Sequence, residues 1–269
     1  SWRPRSCRLV VRTGRRTEAV MACATSEERP AAEAELPCNT KGERMLLSTN
    51  QPRIASALPD FLREEHVLRF DAGSYDLRSA AVAMLEAAGP RLGFGGFDRE
   101  AGEVCLEHFR AKEECFSSFK VEKQWRQCVA QDPAFLAEYE RLAREVVCPY
   151  LKTRIGGEAP MTFYYQYPPT LRLQPGPSEQ FRRVHRDAEY GHQEGEINFW
   201  MPLTDYSRTG TTLWLESSPG AGDFRPMEVE YGAVVVFHGT LCRHSVPPNA
   251  SACTRVSVDF RVGVGPHFD

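Results

Sequence analysis

Beyond residue 160 the chain turns into short runs rich in β-forming residues, at 161–167, 170–174, 196–203, 211–215, 232–238 and 254–262. Turn-forming clusters part them, such as Gln174-Pro175-Gly176-Pro177 and Ser218-Pro219-Gly220-Ala221-Gly222. Short strands at this spacing, punctuated by Pro and Gly, indicate a β-sandwich or barrel. Earlier in the chain the texture is helical. Asp76 can cap a helix whose apolar positions Ala80, Ala81, Met84, Leu85 and Ala88 recur at helical spacing, with Gly89-Pro90 as its stop. A second helix is expected over 116–130. A third begins at Asp132-Pro133, with Asp as N-cap and Pro at the first helical position, and would bury Leu136, Tyr139, Leu142, Val146 and Val147. Gly93-Phe94-Gly95-Gly96-Phe97 reads as a surface loop or lid; as a phosphate-cradling loop it fails, since no capped helix with Lys-Ser or Lys-Thr follows. The expected class is α+β. A mainly helical part over 44–160 supports a β core over 161–269 in one domain.

Residues 1–43 stand apart. Six arginines precede Glu18, the single acid of the first twenty residues, and Met21 follows. That pattern fits an organelle transit peptide or translated upstream sequence. Residues 22–43 are rich in Ala, Glu and Pro, as flexible linkers are. With no apolar periodicity to join a core, 1–43 is expected to be a flexible leader, removable without loss of stability. Charge narrows the partners: a formal net charge of −3 argues against a general binder of nucleic acid or anionic membranes. No apolar run approaches the roughly 20 residues of a spanning helix. Nine cysteines, an odd number without C-x-x-C spacing, oppose a disulfide framework and a structural zinc site. They read as reduced thiols filling apolar positions, hence a reducing compartment, the cytoplasm or an organelle stroma or matrix.

The chemistry concentrates in His185-Arg186-Asp187. In an extended segment residues i and i+2 share a face, so an imidazole and a carboxylate project together, and both suit divalent iron. A third ligand from a distant strand would complete a facial triad with coordination positions left open. His238, in Val-Val-Val-Phe-His-Gly, and His244, in Cys-Arg-His-Ser, both qualify. Arg255 decides between them. It follows His244 by eleven residues, on a stretch from Thr254 to Phe260 that alternates as a strand does. A dicarboxylate co-substrate needs a fixed cation for its remote carboxylate, which arginine provides as a planar, two-pronged donor. Ser257, on the same face, adds a hydroxyl. From His238 the arginine is seventeen residues away and the strand-turn-strand spacing is lost, which leaves His238 packed or substrate-facing. Arg182-Arg183 reads as a solvated turn rather than a substrate clamp.

The order His-x-Asp, 57 residues, His, then Arg-x-Ser resembles the iron(II)/2-oxoglutarate dioxygenases. Within that superfamily four stretches resemble the streptomycin-biosynthesis hydroxylase-like branch: Arg183 to Asp187, Gly195 to Thr204, Thr212 to Ser217 and Thr254 to Arg261. The resemblance covers residues 170–262. It implies a double-stranded β-helix, a distorted jelly roll, with helices flanking one sheet. It also implies Fe(II) on His185, Asp187 and His244, 2-oxoglutarate on Arg255, and O₂ as the other co-substrate. The reaction implied is hydroxylation of a polar small molecule with release of succinate and CO₂. Gln174, eleven residues before His185, matches a position where relatives set a polar side chain against 2-oxoglutarate, although no tyrosine stands there. Arg172 shares its face, and Asn198 and Trp200 would line the strand after the His-x-Asp.

Other classes fit less well. His-Arg-Asp also occurs in protein-kinase catalytic loops, but Asn should stand five residues after the Asp, where this chain has His192. A hydrolase would need Gly-x-Ser-x-Gly, which is missing. The serious rival is a cupin-like metal- or ligand-binding jelly roll without oxygenase activity; it would lack an open metal position or a ligand, and this chain keeps all three.

Overall fold

The computed structural model describes residues 3–9, 58–93, 95–100, 102–111, 119–179 and 182–268. Its strands are β1 (Arg3–Leu9), β2 (His66–Arg69), β3 (Gly95–Phe97), β4 (Phe109–Ala111), β5 (Met161–Tyr167), β6 (Thr170–Gln174) and β7 (Arg182–His185). They continue with β8 (Glu196–Pro202), β9 (Trp214–Leu215), β10 (Arg225–Pro226), β11 (Ala233–Phe237), β12 (His244–Val246) and β13 (Arg255–Val264). A large antiparallel sheet runs β1-β5-β13-β8-β11-β2, with β6 also on β13, and a smaller one runs β10-β9-β12-β7. The α+β class expected from the sequence is therefore met as helices packed with antiparallel sheets.

The alternation of β13 explains the layering. Val256, Val258, Phe260, Val262 and Val264 are fully buried on one face, beside Ile197, Phe199 and Met201 of β8. Helices Leu77–Leu92, Phe119–Gln131, Pro133–Leu142 and Cys148–Ile155 contribute to that core. Tyr139 marks the contact: its ring meets Phe260 edge-on at 5.1 Å, and its hydroxyl donates to the Gln166 carbonyl at 2.6 Å. The other face of β13 carries Arg255, Ser257, Asp259 and Arg261, and this polar face holds the candidate site. A second apolar cluster, including Trp200, Leu215, Val235, Phe237 and Val246, joins the two sheets.

Both expected N-caps form, with Asp76 accepting from the Ser79 N–H at 2.9 Å and Asp132 from the Phe135 N–H at 2.8 Å. The first helix does not stop at Gly89-Pro90. It continues through Pro90 to Leu92 and ends at Gly93, φ 71°, whose N–H reaches the Gly89 and Pro90 carbonyls. Pro90 removes one backbone bond, but Gly89 docks this turn closely on Phe109, where a Cβ would stand 3.2 Å from the ring. The Gly93–Phe97 loop is likewise corrected: β3 pairs with β4, and Phe97 packs edge-on against buried Phe109 at 5.2 Å. Phe94 lies outside the described residues, as do 116–118 of the second helix.

The flexible-leader reading does not hold for residues 3–9. β1 pairs along the whole of β5, from Arg3↔Tyr167 to Leu9↔Met161. An edge strand offers a row of unpaired backbone groups, and the leader's first residues fill that row. Cys7 is buried in the core, while Arg5 donates to Glu140 at 2.6 Å and lies 3.6 Å over the Tyr167 ring. Residues 10–43 lie outside the described residues. Cys7, Cys105, Cys128, Cys148, Cys242 and Cys253 are free thiols. Among the described residues no helix is long and apolar enough to cross a membrane.

Candidate metal and co-substrate site

β7 and β12 run antiparallel with His185 directly opposite His244, their ring centroids 4.4 Å apart. Arg186 is extended (φ −110°, ψ 147°), which keeps the two-residue relation between His185 and Asp187 although the strand has ended. Asp187 opens a short turn, Asp187–Tyr190, closed by left-handed Gly191, and its N–H donates to the Gly239 carbonyl at 2.9 Å. Gly239 stands between β11 and β12. The turn between them thus delivers His244 and pins Asp187 at once. His185, Asp187 and His244 each offer one ligand atom, all within 4.8 Å of one another, and they are the only such metal-competent group found among the described residues.

Each imidazole has its tautomer set. His185 Nδ1 lies 2.7 Å from the Arg183 carbonyl and His244 Nδ1 3.2 Å from the Cys242 carbonyl. A carbonyl only accepts, so both Nδ1 atoms carry a proton and both Nε2 atoms face inward. These Nε2 atoms stand 3.9 Å and 3.6 Å from Asp187 Oδ1. Burial pushes the His244 pKa down, against the pull of the Asp187 charge, so the ring is neutral as a ligand must be. For Asp187 burial alone would raise the pKa. The charge of Arg261, with hydrogen bonds from Arg261 and Asn198, outweighs it and holds the carboxyl well below its usual range. Two imidazole Nε2 atoms and one carboxylate oxygen match the donor set of a non-haem iron(II) facial triad. His238 lies outside the group; its Nε2 is bonded to the Glu194 carbonyl at 2.8 Å.

The polar face of the large sheet carries the remaining candidates. Pairing sets Gln174 opposite Arg255 and Arg172 opposite Ser257 on β6, with Trp200 opposite Asp259 and Asn198 opposite Arg261 on β8. Arg255 is 5% exposed, donates to Ser257 Oγ at 3.0 Å, and stands 5.8 Å over the Trp200 ring. Burial first, then the charges of Arg172 and Arg182, bring its pKa down to about 10 in spite of Asp259, so it stays charged at neutral pH. Among the described residues no carboxylate pairs with it. Asp259 instead accepts two bonds from Arg172, at 2.7 and 3.2 Å. A buried guanidinium without a counter-ion is costly unless an anion joins it.

The other residues expected beside the co-substrate each hold a protein partner. Arg172 is engaged by Asp259 and turned along the sheet. Asn198 donates to Asp187 Oδ2 at 2.6 Å, next to the metal-competent group rather than the anchor. Gln174 stays beside Arg255, its Nε2 donating to the Pro247 carbonyl at 2.7 Å. Arg182 and Arg183 belong to β7 rather than to a turn, and Arg183 pairs with Glu189 at 3.1 Å. Arg261 joins the site without a motif to mark it. Its Nε donates to Asp187 Oδ2 at 2.8 Å and its Nη1 to Gln166 Oε1 at 3.1 Å. Period-two counting from Arg255 puts Arg261 on the polar face, but only the pairing with β8 brings it to Asp187.

No family model matches the chain. Over 120 residues, 44% of this chain and 56% of the relative, it is 35% identical to the streptomycin biosynthesis protein StrG of Streptomyces griseus. The chain thus matches just over half the length of that curated relative. Among solved structures it is similar to AviO1 of Streptomyces viridochromogenes Tue57, with 18% identity, TM-score 0.43, and coverage of 80% of this chain and 96% of that one. It is also similar to a prolyl-4-hydroxylase of Pseudomonas putida, with 18% identity, TM-score 0.38 and the same coverages.

Proposed function

We propose that the protein is an Fe(II)/2-oxoglutarate-dependent dioxygenase that hydroxylates a polar small molecule, with release of succinate and CO₂. The carrying observation is the pairing of two features on facing sheets: the converging His185-Asp187-His244 group and the buried Arg255, which no carboxylate pairs with among the described residues. The partial identity to StrG supports the branch, and the two packed antiparallel sheets support the double-stranded β-helix of that superfamily.

His185, Asp187 and His244 would hold the iron. Bound there with 2-oxoglutarate, it supplies the oxidising power of O₂ for attack on a C–H bond. Arg255 binds the remote carboxylate of the co-substrate through its planar fork, and the Ser257 hydroxyl adjoins it. Trp200 backs the guanidinium and, with Phe237, keeps water from the floor of the site. Asn198 and Arg261 hold the carboxylate of Asp187 ionised. The Nδ1–H bonds to the Arg183 and Cys242 carbonyls hold both rings with Nε2 turned towards the metal position.

The test is an anaerobic titration of Fe(II) and then 2-oxoglutarate, followed by the metal-to-ligand charge-transfer band, with succinate release measured on admitting air. Iron binding with no 2-oxoglutarate band and no succinate would replace this reading with the cupin-like one.

A further inference from the structure

We infer that Arg261 and Asn198 are positioning residues that restrict Asp187 to metal binding through Oδ1 alone. The inference rests on the metal site proposed above. The two carboxylate oxygens have different surroundings. Oδ1 faces the Nε2 atoms of His244 and His185, at 3.6 and 3.9 Å. Oδ2 accepts from Asn198 Nδ2 at 2.6 Å and Arg261 Nε at 2.8 Å. Turning the carboxylate to present both oxygens would break both bonds and leave a buried guanidinium and amide unsatisfied.

Neither donor can easily follow such a turn. Asn198 is locked in a closed circuit: the Asp187 N–H donates to the Gly239 carbonyl, the Gly239 N–H to Asn198 Oδ1, and Asn198 Nδ2 to Asp187 Oδ2. Because Oδ1 of the amide takes an N–H, its NH₂ must face the carboxylate. The circuit also requires glycine at 239, where a Cβ would fall 2.6 Å from Asn198 Nδ2. Arg261 is held from β5, donating to Gln166 Oε1 at 3.1 Å, and along its own strand stands 3.8 Å from Asp259, which Arg172 of β6 engages. The carboxylate is thus oriented by β5, β6, β8 and β13 together.

The chemical consequence is a matter of counting. Three protein donors on a six-coordinate ion leave three positions, enough for a chelating co-substrate and a gas. A second Asp187 oxygen would take one of them. Arg261 also offsets the negative charge beside the metal, so its loss changes both the geometry and the strength of the carboxylate donor.

Co(II) serves as the probe, because its visible spectrum reports coordination and its binding needs neither substrate nor turnover. Affinity, spectrum and melting temperature are measured for the intact chain and for Arg261→Met, Arg261→Lys, Asn198→Leu and Asn198→Ala. Loss of such an outer partner weakens metal binding roughly ten- to hundred-fold. That loss is expected in Arg261→Met and both Asn198 variants, with a changed Co(II) spectrum and partial recovery in Arg261→Lys. Arg255→Met, which removes an arginine from the same strand face, should leave Co(II) affinity within about two-fold. Native affinity and spectrum in the folded Arg261 or Asn198 variants, even with a lowered melting temperature, would overturn the inference. Should Arg261→Met not fold, Asn198→Ala decides alone. If His244→Ala binds Co(II) like the intact chain, the metal site itself is wrongly assigned, a result distinct from failure of the positioning role.

Discussion

Arg255 faces a demand that no described neighbour meets: it is buried, charged and without a carboxylate partner among the described residues, so its natural complement is an incoming anion. Arg255→Ala should weaken 2-oxoglutarate binding about ten- to hundred-fold, the equivalent of a charge-assisted bond of about 1.5–3 kcal/mol. Arg255→Lys should also fail to behave as conservative, because the two-pronged geometry is lost. Metal content should survive both changes. Unchanged 2-oxoglutarate affinity in both variants, by anaerobic titration, would remove Arg255 as the anchor. For the metal, His185→Ala, Asp187→Ala and His244→Ala should each abolish stoichiometric iron binding after anaerobic reconstitution, while His238→Ala retains it. Full occupancy in His244→Ala would refute the ligand assignment. These residues were legible because ligand type, strand period and the Arg255 spacing each constrain them. Arg261 was not, since its partner lies 74 residues away and is reached only through strand pairing.

At the scale of elements, β1 is the part the sequence least disclosed. Its arginines read as a leader because pairing to β5 leaves no mark in composition. Removing residues 1–9 should bare the edge of β5, take Cys7 out of the core and free Glu140 of Arg5. If this loses about 2–3 kcal/mol, on the scale of one buried side chain, melting should fall by about 4–12 °C at about 2–4 °C per kcal/mol. An unchanged melting temperature would return residues 3–9 to the leader reading. The loop before β12 makes a second case. Glu216 is buried and accepts from Arg243 N–H, Nε and Nη2 and from the Gly220 and Gly222 N–H groups. Burial works against its ionisation, but those bonds bring its pKa from 4.5 down to about 2. Since the folded value is the lower one, this stability is complete above about pH 4.5 and is lost as pH falls towards 2. Glu216→Gln should therefore melt lower at pH 7, with the deficit closing in acid; a deficit constant across that range would show that ionisation is not its source. The long strands β5, β6, β8, β11 and β13 were visible as alternating or apolar runs. β7 and β12, of four and three residues, were not, because so short a segment carries no readable period and is held by its neighbours.

At the scale of the whole molecule, the candidate metal site lies where the two sheets meet. His185 and His244 belong to the small sheet, whereas Asp187 is fixed by Asn198 and Arg261 of the large one. A shared ion would bind the free edge strand β7 to β12 and, through Asp187, to β8 and β13. Because the bound state exists only in the folded chain, metal at a hundred times its dissociation constant adds about 2.7 kcal/mol of stability. For a chain of this size that is an increase of about 5–11 °C in melting temperature. The measurement is anaerobic thermal unfolding with Fe(II) or Mn(II), against the same protein held in chelator. His244→Ala should lose the whole increase. Adding 2-oxoglutarate to the metal-loaded protein should raise the melting temperature again, because the co-substrate would join Arg255 on the large sheet to the ion on the small one. Arg255→Ala should keep the metal shift and lose the second. If instead both shifts persist in their respective variants, ions and dicarboxylates act elsewhere on the surface, and the two sheets are not joined through this site.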